Sequence, residues 1–266
     1  MPAEPAWFAG VSGWMMTETT SEVGMAATPG PVGAAPQMSF PAKLWNLFFD
    51  PRKTFASVGR THEWLILGIL VSAISIGGYM PIKSIVKESQ MTRTKEALVE
   101  RGLPEEQQAE ILSGMEDNFD NPTYLLFVPV SIFAAMFIVA GVLLFVGNIL
   151  LGGDLKYLRT LNAYAWTAMI VIPVTLVTVP LVMAKGSMDV SLGLGVLTSP
   201  DTGAFMRKLL SSFEIFALWQ LWLSSVAVSV MANVKTGRAF GAIFVFWFIW
   251  VLAQSGLATL GINFSM

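Results

Sequence analysis

Four polar side chains stand in otherwise apolar stretches of the sequence: Asn148, Glu214, Gln220 and Gln254. Such groups have two chemical uses inside a bilayer. They can line a wet path that binds or relays a cation, or they can hydrogen-bond a neighbouring helix, at roughly 0.6–2 kcal/mol per contact. Glu214 is the sharpest case, because a charged group at mid-depth costs about 2.5–3.5 kcal/mol on insertion scales. If its helix starts at Leu209, the carboxylate lies more than one turn inside. If it starts at Ile215, 20 residues still run to Val234, and Glu214 sits at the interface beside Arg207 and Lys208. Bonding between helices is the commoner use for the three amides.

Little else in the chain could do chemistry. There is no cysteine and one histidine, His62, so thiolate nucleophiles, disulfides and cysteine-ligated metals are excluded. No phosphate loop of the Walker or dinucleotide type is present, and no serine lies in a Gly-x-Ser-x-Gly context. The glycine-rich turn around Gly193 and Gly195 is too short for a phosphate motif and reads as a flexible turn in the connection Lys185–Met206. Glu116, Asp117 and Asp120 lack the glycine and terminal glutamate of a calcium loop. Neither an enzyme nor a bound cofactor or metal is expected. A formal net charge of -2 gives no basic excess for nucleic acid.

Composition indicates what must position these residues. Of the 266 residues 54% are hydrophobic and 13% charged, and mean hydropathy is +0.63, against roughly 25% charged in soluble domains. Five uncharged or nearly uncharged runs reach the ~20 residues needed to cross a bilayer. They are Trp64–Ile82, Tyr124–Leu151, Thr160–Ala184, a segment within Leu209–Val234, and Phe240–Leu260. None alternates with period two, so the fold class is an all-α integral membrane bundle of five helices. Gly237 and Gly241, and Ser225 and Ser229, are small pairs four apart that let helices approach closely. Pro129, Pro173 and Pro180 predict kinks.

Around the spans, residues 1–38 read as a disordered tail rich in Pro, Gly, Ala and Thr, without the basic start and apolar run of a secretory signal. Residues 39–63 read as two short juxtamembrane helices, one capped by Ser39 and one by Asp50 with Pro51 at its first position. Their mixture of Lys43, Arg52, Lys53 and Arg60 with aromatics such as Trp45 suits an interfacial seat, apolar side chains at the acyl boundary and cations on anionic headgroups. Packing against the protein's own helices is the competing use of the same apolar residues. The remainder, 64–266, is the five-span domain. Within it 83–122 is a polar helical hairpin, with Gly102 ending the first helix and Pro104 opening the second, offering a solvated connector or a partner-binding surface.

The order Phe48-Phe49-Asp50-Pro51-Arg52-Lys53-Thr54-Phe55, a tryptophan-led first span, Gly152-Gly153-Asp154 after the second, and Leu161-Asn162-Ala163-Tyr164-Ala165-Trp166 opening the third resembles the bacterial branch of the Yip family, Ypt/Rab-interacting five-span membrane proteins. The resemblance covers roughly residues 43–260. It implies a cytoplasmic N-terminal region, five spans, a broad role in membrane organisation or scaffolding, and no catalytic site. The Asp-Leu-Tyr-Gly-Pro motif of eukaryotic members is absent, which leaves GTPase binding and vesicle trafficking outside what it implies. The alternative from the residues alone is a small-solute or ion permease using Glu214, Asn148, Gln220 and Gln254.

Lys and Arg counts set the orientation. Lys43, Arg52, Lys53, Arg60, Lys156, Arg159, Lys235 and Arg238 lie in short connections or just before the first span. The eight on the opposite side are spread partly through the long acidic hairpin. The first set belongs in the cytoplasm, so the protein is expected in a bacterial inner membrane with its N-terminus inside and its C-terminus outside. A reporter fused after Met266 should therefore read extracytoplasmic and one placed before Lys43 cytoplasmic; both on one side would remove the five-span topology.

Overall fold

The computed structural model describes residues 38–59, 62–199 and 201–259, apart from the side chains of Asp120 and Tyr124. The expected tail, but for Met38, and the expected headgroup cation Arg60 lie outside the described residues. Two short helices come first, α1 (Phe40–Phe49) and α2 (Pro51–Ser57), followed by α3 (Glu63–Tyr79), α4 (Lys83–Glu100) and α5 (Glu105–Asp120). Then come α6 (Phe127–Phe145), α7 (Tyr157–Thr167), α8 (Val171–Lys185), α9 (Ala204–Ser211), α10 (Ile215–Ala232) and α11 (Thr236–Ala258). Five helical stretches are long and apolar enough to cross a membrane: 63–100, 127–150, 157–185, 215–232 and 236–258. The all-α five-helix bundle read from composition is what the chain forms.

Three of the spans carry tightened turns at prolines. Pro81 lies in a 3₁₀ turn, Met80–Ile82, and the helix then continues as α4 to Glu100. The first span thus does not end at its apolar boundary but runs on through polar sequence for 18 residues, roughly 27 Å. Pro173 stands in the first turn of α8, where its missing N–H cannot bond Met169, and the turn before it, Ala168–Ile170, is 3₁₀. Pro129 follows the 3₁₀ turn Pro122–Leu126 in the same way.

The hairpin forms as its glycine and proline predict. Gly102 takes φ 69°, Leu103 N donates to Leu98 O at 3.2 Å, and α5 begins just past Pro104 with Glu105 and Glu106 in its first turn. Lys87 pairs with Glu116 at 2.9 Å across the two helices, and Arg93 reaches Asp189 at 2.8 Å in the loop after α8.

α10 lies at the centre of the bundle: 39% of its apolar window is buried, against 17% for α11. One core joins α1 and α2 to α3, α6, α7 and α10 through Leu47, Phe55, Leu67, Met136, Trp166 and Leu223. A second joins the end of α6 to α10 and α11 through Val146, Leu155, Val228 and Ile243. Ser225 and Ser229 are buried in α10, 0% and 1% exposed, whereas among the glycines close approach falls at other positions than the spacing suggests. A Cβ at Gly68 would lie 2.4 Å from the Phe133 ring and one at Gly78 2.5 Å from Thr175, whereas nothing lies within 4 Å of Gly237 or Gly241. The glycine pair of α11 therefore faces outward and brings no described helix close.

The turn around Gly193 is packed, not free. Leu194 N donates to Phe213 O at 3.1 Å and Ile215 N to Leu192 O at 3.3 Å, and a Cβ on Gly193 would sit 2.0 Å from Phe213 O. Only glycine fits here, because the two backbones touch.

Candidate functional site

The densest polar constellation lies where the two short helices meet the start of the first and third spans. α1 is amphipathic over two turns: Lys43 and Leu47 face inward, 6% and 0% exposed, while Trp45 and Phe49 face outward, 66% and 69% exposed. Residues four apart share a helix face, which is why these pairs separate. Neither expected side-chain cap forms. The backbone carbonyl of Ser39 accepts the Lys43 N–H, and the Asp50 carboxylate is taken by Lys53 at 2.8 Å. That ammonium hydrogen-bonds Asp50 and holds its carboxyl below the usual carboxylate range.

Lys43 is not a headgroup cation. Its Nζ donates to Glu63 Oε1 at 2.6 Å and stands 5.7 Å from the centre of the Trp166 ring. The other carboxylate oxygen of Glu63 accepts the Trp166 indole N–H at 2.7 Å. Most of the remaining bonds of this junction come from α7. Asn162 Oδ1 accepts the Trp64 backbone N–H at 2.9 Å, and its Nδ2 donates to Gly59 O at 3.2 Å. One amide thus satisfies an open N–H in the first turn of α3 and the carbonyl two residues past α2, groups that neither helix can pair itself. Arg159 Nε donates to Val58 O at 3.1 Å, and Thr54 Oγ1 to Lys43 O at 2.9 Å. Phe40 packs on Trp166 with ring centres 5.2 Å apart, and Phe48 on Trp219 of α10 at 5.7 Å. Asn162 and Trp166, four apart on α7, and Glu63, at the edge of the first span, build the junction without standing out as single residues in the sequence. Their signal was a polar residue and a tryptophan at helical spacing at a span's polar end.

The residues singled out from sequence do not converge. Asn148 lies in a π-helical turn, Val146–Leu150, that ends the second span. Its side chain donates to Leu155 O at 3.1 Å and accepts Leu155 N–H at 2.7 Å. It closes the Gly152-Gly153-Asp154 turn on itself, neither bridging two spans nor lining a path. Gln220 of α10 stands against Tyr164 of α7. Gln254 is half-buried on α11 and hydrogen-bonds no described residue. Glu214 precedes α10, which starts at Ile215, so the carboxylate is at the end of the span. It forms no ion pair with a described residue, and partial burial pushes its carboxyl above the usual range.

Around α2 the chain leaves a recess of about 370 Å³ lined by Arg52, Lys53, Ala56, Ser229, Val230 and Asn233. Arg52 Nη1 donates to Thr236 Oγ1 at 2.9 Å, and Ser229 Oγ lies 3.1 Å from the same hydroxyl. Asn233 ends α10 in the left-handed region, φ 54°.

A family model described as Yip1 domain matches residues 45–258. No curated protein and no solved structure matches the chain.

The junction predicts a coupling. Lys43→Met or Glu63→Gln alone should each destabilise the protein by about 3 kcal/mol, the lower end for a broken buried pair, because the Glu63 side chain is 27% exposed. The double variant should recover part of the loss, since neither charge is then left alone. Thermal unfolding of the four proteins in micelles measures this; additive losses would show the pair to be uncoupled.

Proposed function

Since the chain belongs to the Yip1 domain family and the matched residues take in all five spans, we propose that it is a non-catalytic scaffold that organises other proteins in a bacterial inner membrane. The observation that carries this reading is how the polar groups of the spans are used. Asn148 is committed to the backbone of Leu155, Gln220 stands against Tyr164, and Glu214 stands outside the helix it introduces. A permease needs such groups facing a common wet path at matching depth; here these three serve a turn, a helix contact and a helix start, and Gln254 stands apart on α11.

Two surfaces suit a scaffold. The α4–α5 hairpin projects past the spans with Val99 56% and Ile111 43% exposed. α5 carries Glu105, Glu106, Glu110, Glu116, Asp117 and Asp120 with no basic residue, so a partner with a basic face fits it. On the cytoplasmic side, exposed Trp45 and Phe49 enter the acyl boundary, and Arg52 and Lys53, with one net positive charge beside Asp50, lie against anionic headgroups, where an unpaired cation contributes about 1 kcal/mol.

The test has two parts. Purified protein in liposomes should pass no protons or cations above empty liposomes, and a photoreactive residue at Val99 in native membranes should yield a discrete adduct with another membrane protein. Glu214→Gln should leave abundance and adduct unchanged. It should also flatten the pH dependence of stability: a carboxyl raised on folding favours the folded state at low pH, and that advantage fades as pH climbs from the unfolded to the folded pKa. The variant should therefore be at least as stable as wild type at pH 7. Flux abolished by Glu214→Gln would overturn the scaffold in favour of a permease.

A further inference from the structure

The geometry points to a phospholipid headgroup site in the recess between α2 and the α10–α11 turn, seating the phosphodiester of an anionic lipid from the cytoplasmic leaflet. The inference rests on the interfacial seat described above and gives it a particular place. A volume of about 370 Å³ falls within the range of roughly 300–1,000 Å³ typical of small-molecule pockets. Its polar lining is cationic or neutral: Arg52, Lys53, Ser229 and Asn233.

The charges within it are unequal. Lys53 is neutralised by Asp50 at 2.8 Å. Arg52 donates to a hydroxyl, Thr236 Oγ1, at 2.9 Å and feels the Asp50 carboxylate only through space. Two cations beside one carboxylate leave a single positive charge, which matches the single negative charge of a phosphodiester, and the planar guanidinium with its five donors retains free N–H groups for two phosphate oxygens. Thr236 is the first residue of α11, so the bond to its hydroxyl fixes the guanidinium against the end of that span and reduces the ordering cost of binding. The floor, Ala56 and Val230 with the buried Ser229, is largely apolar and suits a glycerol backbone. Three residues before Arg52 stands Phe49, packed on Trp45 at a tilt of 31° with ring centres 4.3 Å apart and both exposed. An exposed aromatic pair so near in sequence to a phosphate seat at the ends of two spans favours a lipid over a free phosphate, because the acyl chains gain an apolar surface that a soluble phosphate cannot use. A zwitterionic choline headgroup would bring a second cation towards Arg52 and Lys53, so phosphatidylglycerol should win over phosphatidylcholine.

The experiment uses the full chain in nanodiscs of mixed phosphatidylglycerol and phosphatidylcholine, extracted gently and read by native mass spectrometry for retained lipid. Wild type should hold one phosphatidylglycerol with at least about tenfold preference, and Arg52→Gln should lower its retention by about tenfold, the size of one lost charge-assisted hydrogen bond. Ala56→Phe fills the recess while keeping every charge, and should lower retention similarly; Ala56 is exposed, so the ring enters the recess and not the core. Lys156→Gln removes an exposed cation on the same side, paired to Asp154, and should change nothing. Equal retention of the two lipids by wild type would overturn the site. Loss with Arg52→Gln but not with Ala56→Phe would also overturn it, leaving only the diffuse attraction of the interfacial seat. Displacement of the lipid by equimolar glycerol 3-phosphate would reassign the recess to a soluble phosphate.

Discussion

The carboxylate of Glu63, at the edge of the first span, is satisfied twice, by Lys43 from α1 and by Trp166 from α7. The arrangement joins three elements at one point. Lys43 can be drawn into a nearly buried position only because Glu63 is there to meet it, and Leu47 and Phe55 are fully enclosed in the same packing. α1 and α2 are thereby held on the bundle as a collar, not left to float in the headgroups. Asn162 completes the junction by pairing the two backbone groups that the chain leaves open between α2 and α3.

Holding the collar in this way decides what its other face presents. Once Lys43 and Leu47 are inside, the helical repeat sends Trp45 and Phe49 outward. α2 then lies along the C-terminal end of α10, where Arg52 reaches Thr236. The two uses proposed for the apolar residues of this segment, packing and lipid contact, are divided between the two faces of one short helix. The cations divide likewise: Lys43 is consumed by the fold, while Arg52 and Lys53 remain at the surface.

The spans and the hairpin were legible because their causes are local. Long apolar runs, Gly102 and Pro104 each act over a few residues, and the elements form where those signals stand. The junction was not legible in the same way, since Lys43 and Glu63 are 20 residues apart and Glu63 and Trp166 are 103 apart. A charge just before a transmembrane helix reads as solvated until the helix that covers it is known. Asn148 misled for the opposite reason: it stands in an apolar run, yet a π turn carries it to the end of the span, where it binds the next turn's backbone. Gly237 and Gly241 show the limit of spacing rules, because the small-residue pattern is present and no described helix uses it.

The central claim is that the collar is part of the bundle's fold, and amide hydrogen exchange in nanodiscs tests it most directly. Amides of 43–57 should exchange about as slowly as those of 161–167 in wild type, because both open only when the junction opens. In Glu63→Gln the two segments should accelerate together. Fast exchange of 43–57 in wild type while 161–167 stays protected would contradict the account, because the collar would then be moving independently of the spans.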